Sequence, residues 1–269
     1  MRALNLIDGV GLEHLKIVEV DAPIPGPGEV LVRLRAVSLN YRDLLMVNGV
    51  YGRAGTPNPM TPFSDGCAVV ESVGDGVTRF KPGDRVATLF FQNWIAGPPT
   101  PAALTSALGA PIPGVGREMA VFHQDGLSKV PDYLSDHQVA TLPCAALTAW
   151  RALFHDARLK PGDTVLLQGT GGVSIFGLQM AKAAGYATII TSSSAAKLER
   201  AAALGADHGL NYRDTPQWGL AARALTGGRG VDFVMEVGGA GTVTQSLQAI
   251  ALAGHIAIIG VLGGPAEPL

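Results

Sequence analysis

Between an apolar segment and a helix-forming one the chain reads Gly169-Thr170-Gly171-Gly172-Val173-Ser174, a spacing whose chemistry is the holding of a pyrophosphate. Glycine at the first and third positions permits a tight turn and lets backbone N–H groups approach phosphate oxygens, while the start of the following helix stabilises the negative charge. Ser174 stands at the sixth position, where glycine is usual, and is small enough for helix and strand still to pack closely. A glycine string also serves bare strand-to-helix turns, so the setting decides. Here a strand, Thr164 to Gln168, precedes the string and a helical run, Ile175 to Ala184, follows it, as a dinucleotide-binding unit requires.

Which dinucleotide is expected follows from the next strand. Sites for NAD place Asp or Glu about 20 residues past the first glycine, where the carboxylate holds the ribose 2′-hydroxyl. This chain has Thr191-Ser192-Ser193-Ser194 there, with Lys197 just beyond. No carboxylate repels a 2′-phosphate, the hydroxyls of Ser192 and Ser193 can donate to it, and Lys197 supplies a cation. NADP(H) is therefore the expected cofactor.

The elements that must position these groups fall into two halves. In the first, Glu29 to Val37, Ala68 to Val73 and Arg85 to Phe91 are rich in strand formers and are separated by Pro25-Gly26-Pro27-Gly28 and Lys81-Pro82-Gly83-Asp84, the punctuation of a mostly β domain. Residues 92–116 carry Pro, Ala and Gly without periodicity and read as a long excursion loop, a lid or lobe with one short helix. From about Val130 the pattern changes, beginning with a helical stretch from Ser135 to Ala157. Strands at Thr164 to Gln168, Ala187 to Thr191, Gly209 to Tyr212, Val231 to Glu236 and His255 to Val261 then alternate with helix-length segments, which predicts a doubly wound parallel sheet. We place the domain boundary at residues 125/126.

Composition narrows the partners. The 269 residues are 47% hydrophobic with a net charge of −2, enough to bury a core, and no run of one sign marks a nucleic-acid or membrane surface. A small-molecule substrate is the expected partner. Two cysteines, Cys67 and Cys144, are too few for a disulfide framework or a four-thiolate zinc site and fit a reducing cytoplasm. No apolar stretch reaches the length of a membrane span.

Several strings together resemble the medium-chain dehydrogenase/reductases, in particular their zinc-independent quinone oxidoreductase-like group. Asn40-Tyr41-Arg42-Asp43 followed by Gly49-Val50-Tyr51, Glu71 to Val77 and Lys81 to Val86 are similar to the GroES-like domain of that family. Leu142 to Trp150 resembles the helix joining its domains, and Leu210 to Asp214 its third nucleotide-binding strand. The resemblance spans nearly the whole chain. It implies that Tyr212 joins Lys197 around the 2′-phosphate, and that Thr148, Val237, Gly260 and Val261 border the cofactor alongside Gly169 to Ser174. It further implies a possible homodimer.

Zinc-dependent relatives bind their catalytic metal through a cysteine, a histidine and a third cysteine or acidic residue. By the same resemblance Asn40 replaces the first cysteine here, Ser64-Asp65 replace His-Glu, and Cys144 alone keeps a ligand position. No metal is expected, nor a structural zinc in 92–116, which lacks cysteine. Without a Lewis acid the easier acceptors are a quinone or an enone, whose reduction spreads negative charge that hydrogen bonds can stabilise. Asn40 and Tyr51 are the candidate catalytic residues, as donors to substrate oxygen or organisers of the cofactor ribose, and Tyr51 as a proton relay. Two alternatives stand beside this reading: an alcohol dehydrogenase with residual zinc, and a non-catalytic NADPH-binding protein. The family pattern continues through a sixth strand and a return to the first domain, so the chain is expected to be truncated at its C-terminal end and less stable than a longer relative.

Overall fold

Strict alternation sets the first sheet. In β3 (Glu29–Ser38) Val30 and Val32 are fully buried while Arg33 and Arg35 face water, the period of two expected of a strand with one face on a core. A computed structural model describes residues 1–50 and 58–263, and in it the chain forms two units, Met1–Cys144 and Ala145–Leu269.

In the first unit β4 (Asp65–Val73) pairs antiparallel with β3 and with β5 (Arg85–Thr88). β6 (Met119–His123) closes one edge on β3, and β7 (Leu127–Lys129) the other on β5, giving the order β6-β3-β4-β5-β7. A hairpin of β1 (Arg2–Leu6) and β2 (Leu15–Glu19) forms a separate two-stranded sheet. Sequence reading did not single out β1, β2, β6 or β7, because they are short or carry little of the alternation that marks a half-buried strand. Short helices follow at α1 (Tyr41–Val47), α2 (Pro101–Leu104) and α3 (Asp136–Ala140).

Three expectations for this half need correction. β5 ends at Thr88 rather than Phe91. The 92–116 excursion does contain one short helix, α2, but it is no detachable lid: Leu108 and Val115 are buried in the core of the β-sheet. The unit boundary falls at Cys144/Ala145 rather than 125/126, because β7 completes the first sheet and α3 packs on β3 and β4.

The second unit has the predicted parallel sheet, with order β10-β9-β8-β11-β12. Its strands are β8 (Thr164–Leu167), β9 (Ala187–Ser192), β10 (His208–Asn211), β11 (Val231–Glu236) and β12 (Ile250–Ile258). β8 and β11 are apolar on both faces because both are covered. Val165, Leu167, Phe233 and Met235 pack toward α4 (Leu147–Trp150) and α5 (Gly172–Ala183). Leu166 and Val234 pack toward α7 (Trp218–Leu225) and α8 (Val243–Ala249). α6 (Ala195–Ala203) links β9 to β10. β12 starts five residues earlier than predicted, since α8 runs straight into it and the register shifts opposite Val231/Phe233. The helix predicted over Ser135 to Ala157 is broken into α3, α4 and two stretches of wider π-type turns at Leu142–Ala146 and Arg151–Asp156. Pro143 lies in the first of these and has no N–H to donate.

α7 and α8 touch through Gly219, where a Cβ would lie 2.2 Å from the carbonyl oxygen of Gln245. Gly219→Ala is expected to destabilise the protein by about 1–3 kcal/mol. Overpacking against backbone outweighs the roughly 1 kcal/mol that alanine gains in helix propensity. A melting temperature equal to or above that of the wild type would show that the helices can separate at no cost.

Candidate functional site

In the first unit the polar groups gather where β3 gives way to α1 and where β4 begins. Asn40 caps α1, and its backbone N–H donates to Asp43 Oδ2 at 2.8 Å, so a carboxylate three residues on closes the first turn. The Nδ2 of Asn40 faces Asp65 but makes no hydrogen bond of normal geometry with it; Asp43 Oδ1 is buried without a hydrogen-bond donor, though Arg42 Nη1 lies 3.6 Å away. Arg42 donates to the carbonyls of Leu108 and Ala110 at 3.0 and 3.3 Å and lies over the Phe90 ring, which ties α1 to the excursion.

Asp65, the first residue of β4, is fully buried. One of its oxygens accepts from Ser64 Oγ at 2.5 Å and the other from the Cys144 N–H at 2.8 Å. Burial pushes its carboxyl above the ordinary range, against the pull of those two donors. Burial likewise raises Asp43 to about 6, although the Asn40 N–H and Arg42 favour its charged form. The Cys144 thiol is pushed up to about 12, first by burial and then by the charge of Asp65. Among the described residues no three His, Cys, Asp or Glu side chains stand close enough together to hold a metal ion. The other sequence candidate in this half, Tyr51, lies outside the described residues.

In the second unit the glycine turn is built as the spacing requires. Gly169 has φ of +69° and its N–H donates to Thr191 Oγ1 at 3.0 Å. Gly171 caps α5, and a Cβ at Gly169 or Gly171 would meet nothing within 4 Å. Both glycines thus leave open space beside the helix N-terminus, a cradle that fits a pyrophosphate. Gly172 and Val173 form the first turn of α5, and a Cβ on Gly172 would press on Ala145 at 3.3 Å. Ser174 is buried and donates to the carbonyl of Gln168 at 2.5 Å, so the serine adds a tie between helix and strand. Thr148 is half-buried on α4, which packs against α5.

The residues after β9 and β10 are brought together. Ser192 Oγ lies 3.3 Å from Thr170 Oγ1, and the Tyr212 N–H donates to the Ser192 carbonyl at 3.1 Å. Ser193 is partly accessible, and Lys197 is exposed in the first turn of α6. Val237, Gly260 and Val261 also converge: a Cβ on Gly260 would fall 2.3 Å from the Val237 carbonyl oxygen, and the Leu262 N–H donates to that oxygen at 3.2 Å. Sequence reading missed Gln168 and Glu236, which close strands β8 and β11 and bond to each other. The signal was there, since each is a polar residue ending a strand otherwise buried and apolar.

Two family models match the chain, an alcohol dehydrogenase GroES-like domain over residues 26–132 and a zinc-binding dehydrogenase over residues 172–269. A zinc-type alcohol dehydrogenase-like protein of Schizosaccharomyces pombe is 47% identical, over 93% of this chain and 73% of its own length. Among solved structures, a quinone oxidoreductase of Pseudomonas syringae superposes with a TM-score of 0.85 at 32% identity, over all of this chain and 76% of the other. A mycobacterial protein solved in complex with NADPH superposes with a TM-score of 0.81 at 33% identity, again over all of this chain and 76% of its own. No helix among the described residues is long and apolar enough to cross a membrane. A GroES-like unit, a parallel sheet with an open glycine cradle and these relatives together make the chain a member of the medium-chain dehydrogenase/reductase superfamily, an oxidoreductase that uses a nicotinamide cofactor.

Proposed function

We propose that this oxidoreductase uses NADP(H) and reduces a quinone or an enone without zinc. Its cofactor preference is carried by the end of β9 and the turn after it, where Ser193 and Lys197 offer a hydroxyl and a cation and no carboxylate stands. Ser192, expected to share that role, is buried with its hydroxyl turned to Thr170 and the Ser194 N–H. Gly169 to Ser174 hold the pyrophosphate in this reading, with Tyr212 beside the adenosine ribose and Thr148, Val237, Gly260 and Val261 toward the nicotinamide. When bound, the reduced nicotinamide supplies a hydride.

The residues of the first unit manage the charge that develops on the acceptor. Asn40 Nδ2, buried beside Asp65 without a hydrogen bond of normal geometry to it, is the single observation that carries this assignment: a donor so loosely committed can turn to oxygen as it becomes negative. Tyr51 completes the set as second donor and proton relay. The zinc-binding name of one family model does not extend to these residues. Zinc sites take three ligands of imidazole, thiolate or carboxylate type, whereas the corresponding positions hold an amide, a hydroxyl, a carboxylate already engaged by two donors, and a single thiol.

Two measurements test the proposal. Lys197→Ala is expected to weaken NADPH binding roughly tenfold, the worth of one charge-assisted contact, while leaving NADH binding unchanged. Equal effects on the two cofactors would remove Lys197 from the 2′-phosphate. Purified protein is expected to hold far less than one equivalent of zinc and to reduce quinones or enones at an unchanged rate in the presence of a chelator. Stoichiometric zinc, or turnover of alcohols alone that a chelator abolishes, would favour the zinc alcohol dehydrogenase reading instead.

A further inference from the structure

The parallel sheet reverses its strand order between β8 and β11, because the chain leaves β8 toward β9 on one side and β11 then starts the other. Ligands of such sheets lie outside the carboxyl ends of the strands at that reversal, here beside the turns after Gln168 and after Glu236. Both residues are buried, Glu236 completely. The Glu236 carboxylate accepts from the N–H groups of Gly238 and Gly239 at 2.9 Å each, from Thr242 Oγ1 at 2.6 Å, from Gln168 Nε2 at 2.5 Å and from Ser246 Oγ. None of these five donors is a cation, so the charge is balanced by dipoles alone.

The Gln168 amide is equally committed. Its oxygen accepts from the N–H groups of Val237 and Gly238 at 3.2 and 3.1 Å, and its own carbonyl takes the Ser174 hydroxyl. The Glu236 carbonyl accepts the N–H of Ile259, and Leu262 and Gly263 donate to Val237 and Gly238. One knot therefore joins the glycine turn, the Val237–Gly239 turn and the segment after β12. Among the described residues, the N–H of Val261 alone in the 259–263 run makes no such bond.

A structural role does not require this charge. The residues before Glu236, Phe233 to Met235, are apolar and fully buried, and an apolar side chain in its place would avoid the several kcal/mol that burying an ion costs. What the carboxylate adds is direction, since it fixes two successive backbone N–H groups and the left-handed turn at Gly239, whose φ is +76°. We propose that Glu236, with Gln168, is a positioning residue that holds Val237 and the free Val261 N–H for the nicotinamide end of the cofactor. This rests on the reading that a nicotinamide dinucleotide lies across the reversal.

The test compares two ligands on the whole chain: NADPH, and adenosine 2′,5′-bisphosphate, which carries the 2′-phosphate end but no nicotinamide. Glu236→Gln is expected to weaken NADPH binding about tenfold, the scale of a lost hydrogen bond to a charged group, and to alter bisphosphate binding by less than about twofold. The fluorescence anisotropy of bound NADPH, which reports nicotinamide mobility, should fall. Thr242→Val removes one donor without touching the charge, should show the same selectivity at about threefold, and serves as the deciding variant if Glu236→Gln does not fold. Equal weakening of both ligands, or of neither, would overturn the positioning role while leaving the cofactor reading in place. A wild-type chain that binds neither ligand would overturn the cofactor reading and this inference with it.

Discussion

Valine at position 171 is expected to abolish NADPH binding in a protein that still folds. Gly171 has φ of −81° and ψ of 178°, extended backbone that any residue adopts, and a Cβ there meets nothing within 4 Å. The fold itself gives no reason for glycine at this position. Exchanging an N-cap glycine for valine costs about 1 kcal/mol or less, so the melting temperature should move by only a few degrees. The added side chain fills the space from which a pyrophosphate would approach the start of α5, and affinity should drop at least about 100-fold, close to 3 kcal/mol. Titration by NADPH fluorescence beside a thermal melt reads both quantities. Wild-type affinity in Gly171→Val would mean that phosphate does not sit on this turn.

The second large effect concerns pH and stability. Asp43 is 3% exposed and burial raises its carboxyl to about 6, against roughly 3.9 in an unfolded chain. Below the unfolded value the group is neutral in both states and costs nothing. As pH rises from about 4 to about 6 the unfolded chain gives up its proton first, and the native state loses roughly 3 kcal/mol relative to it. Asn at this position keeps an acceptor for the Asn40 N–H and cannot ionise. Stability of Asp43→Asn measured against wild type by urea unfolding should therefore improve with pH across that window and level off above it. A difference that stays flat from pH 4 to pH 8 would show that Asp43 ionises in the native state as easily as in water.

The pH effect could not have been anticipated from the residues alone. Asp43 occupies the third position of a helix, where an acidic residue ordinarily sits half in water and stabilises the N-terminus. Its burial goes with a long-range tie, since the neighbouring Arg42 reaches the carbonyls of Leu108 and Ala110. Those residues are more than sixty positions away in sequence, and their 92–116 segment carries no periodicity that announces where it packs. The Asp65 site is of the same kind, since its second partner is the backbone N–H of Cys144, a group invisible to any reading of side-chain types.

The glycine turn stands at the other extreme. Gly169, Gly171 and the strand and helix on either side are local in sequence, and the conformations they need, φ of +69° at Gly169 and a free helix N-terminus after Gly171, follow from residue types a few positions apart. The alternation of Val30 and Val32 with Arg33 and Arg35, the apolar strands β8, β9 and β11, and the hydroxyl-rich segment after β9 were readable for the same reason. Side-chain chemistry and short-range backbone sterics specify them without reference to distant partners. Tertiary structure alone decided what becomes of isolated polar residues. Whether Glu236 ends a strand in solvent or knots two turns together, and whether the Asn40 amide meets water or the buried Asp65, depends on which groups chain folding brings within about 3 Å. Hydrogen-bond energy falls off over that distance, and sequence separation carries no record of it.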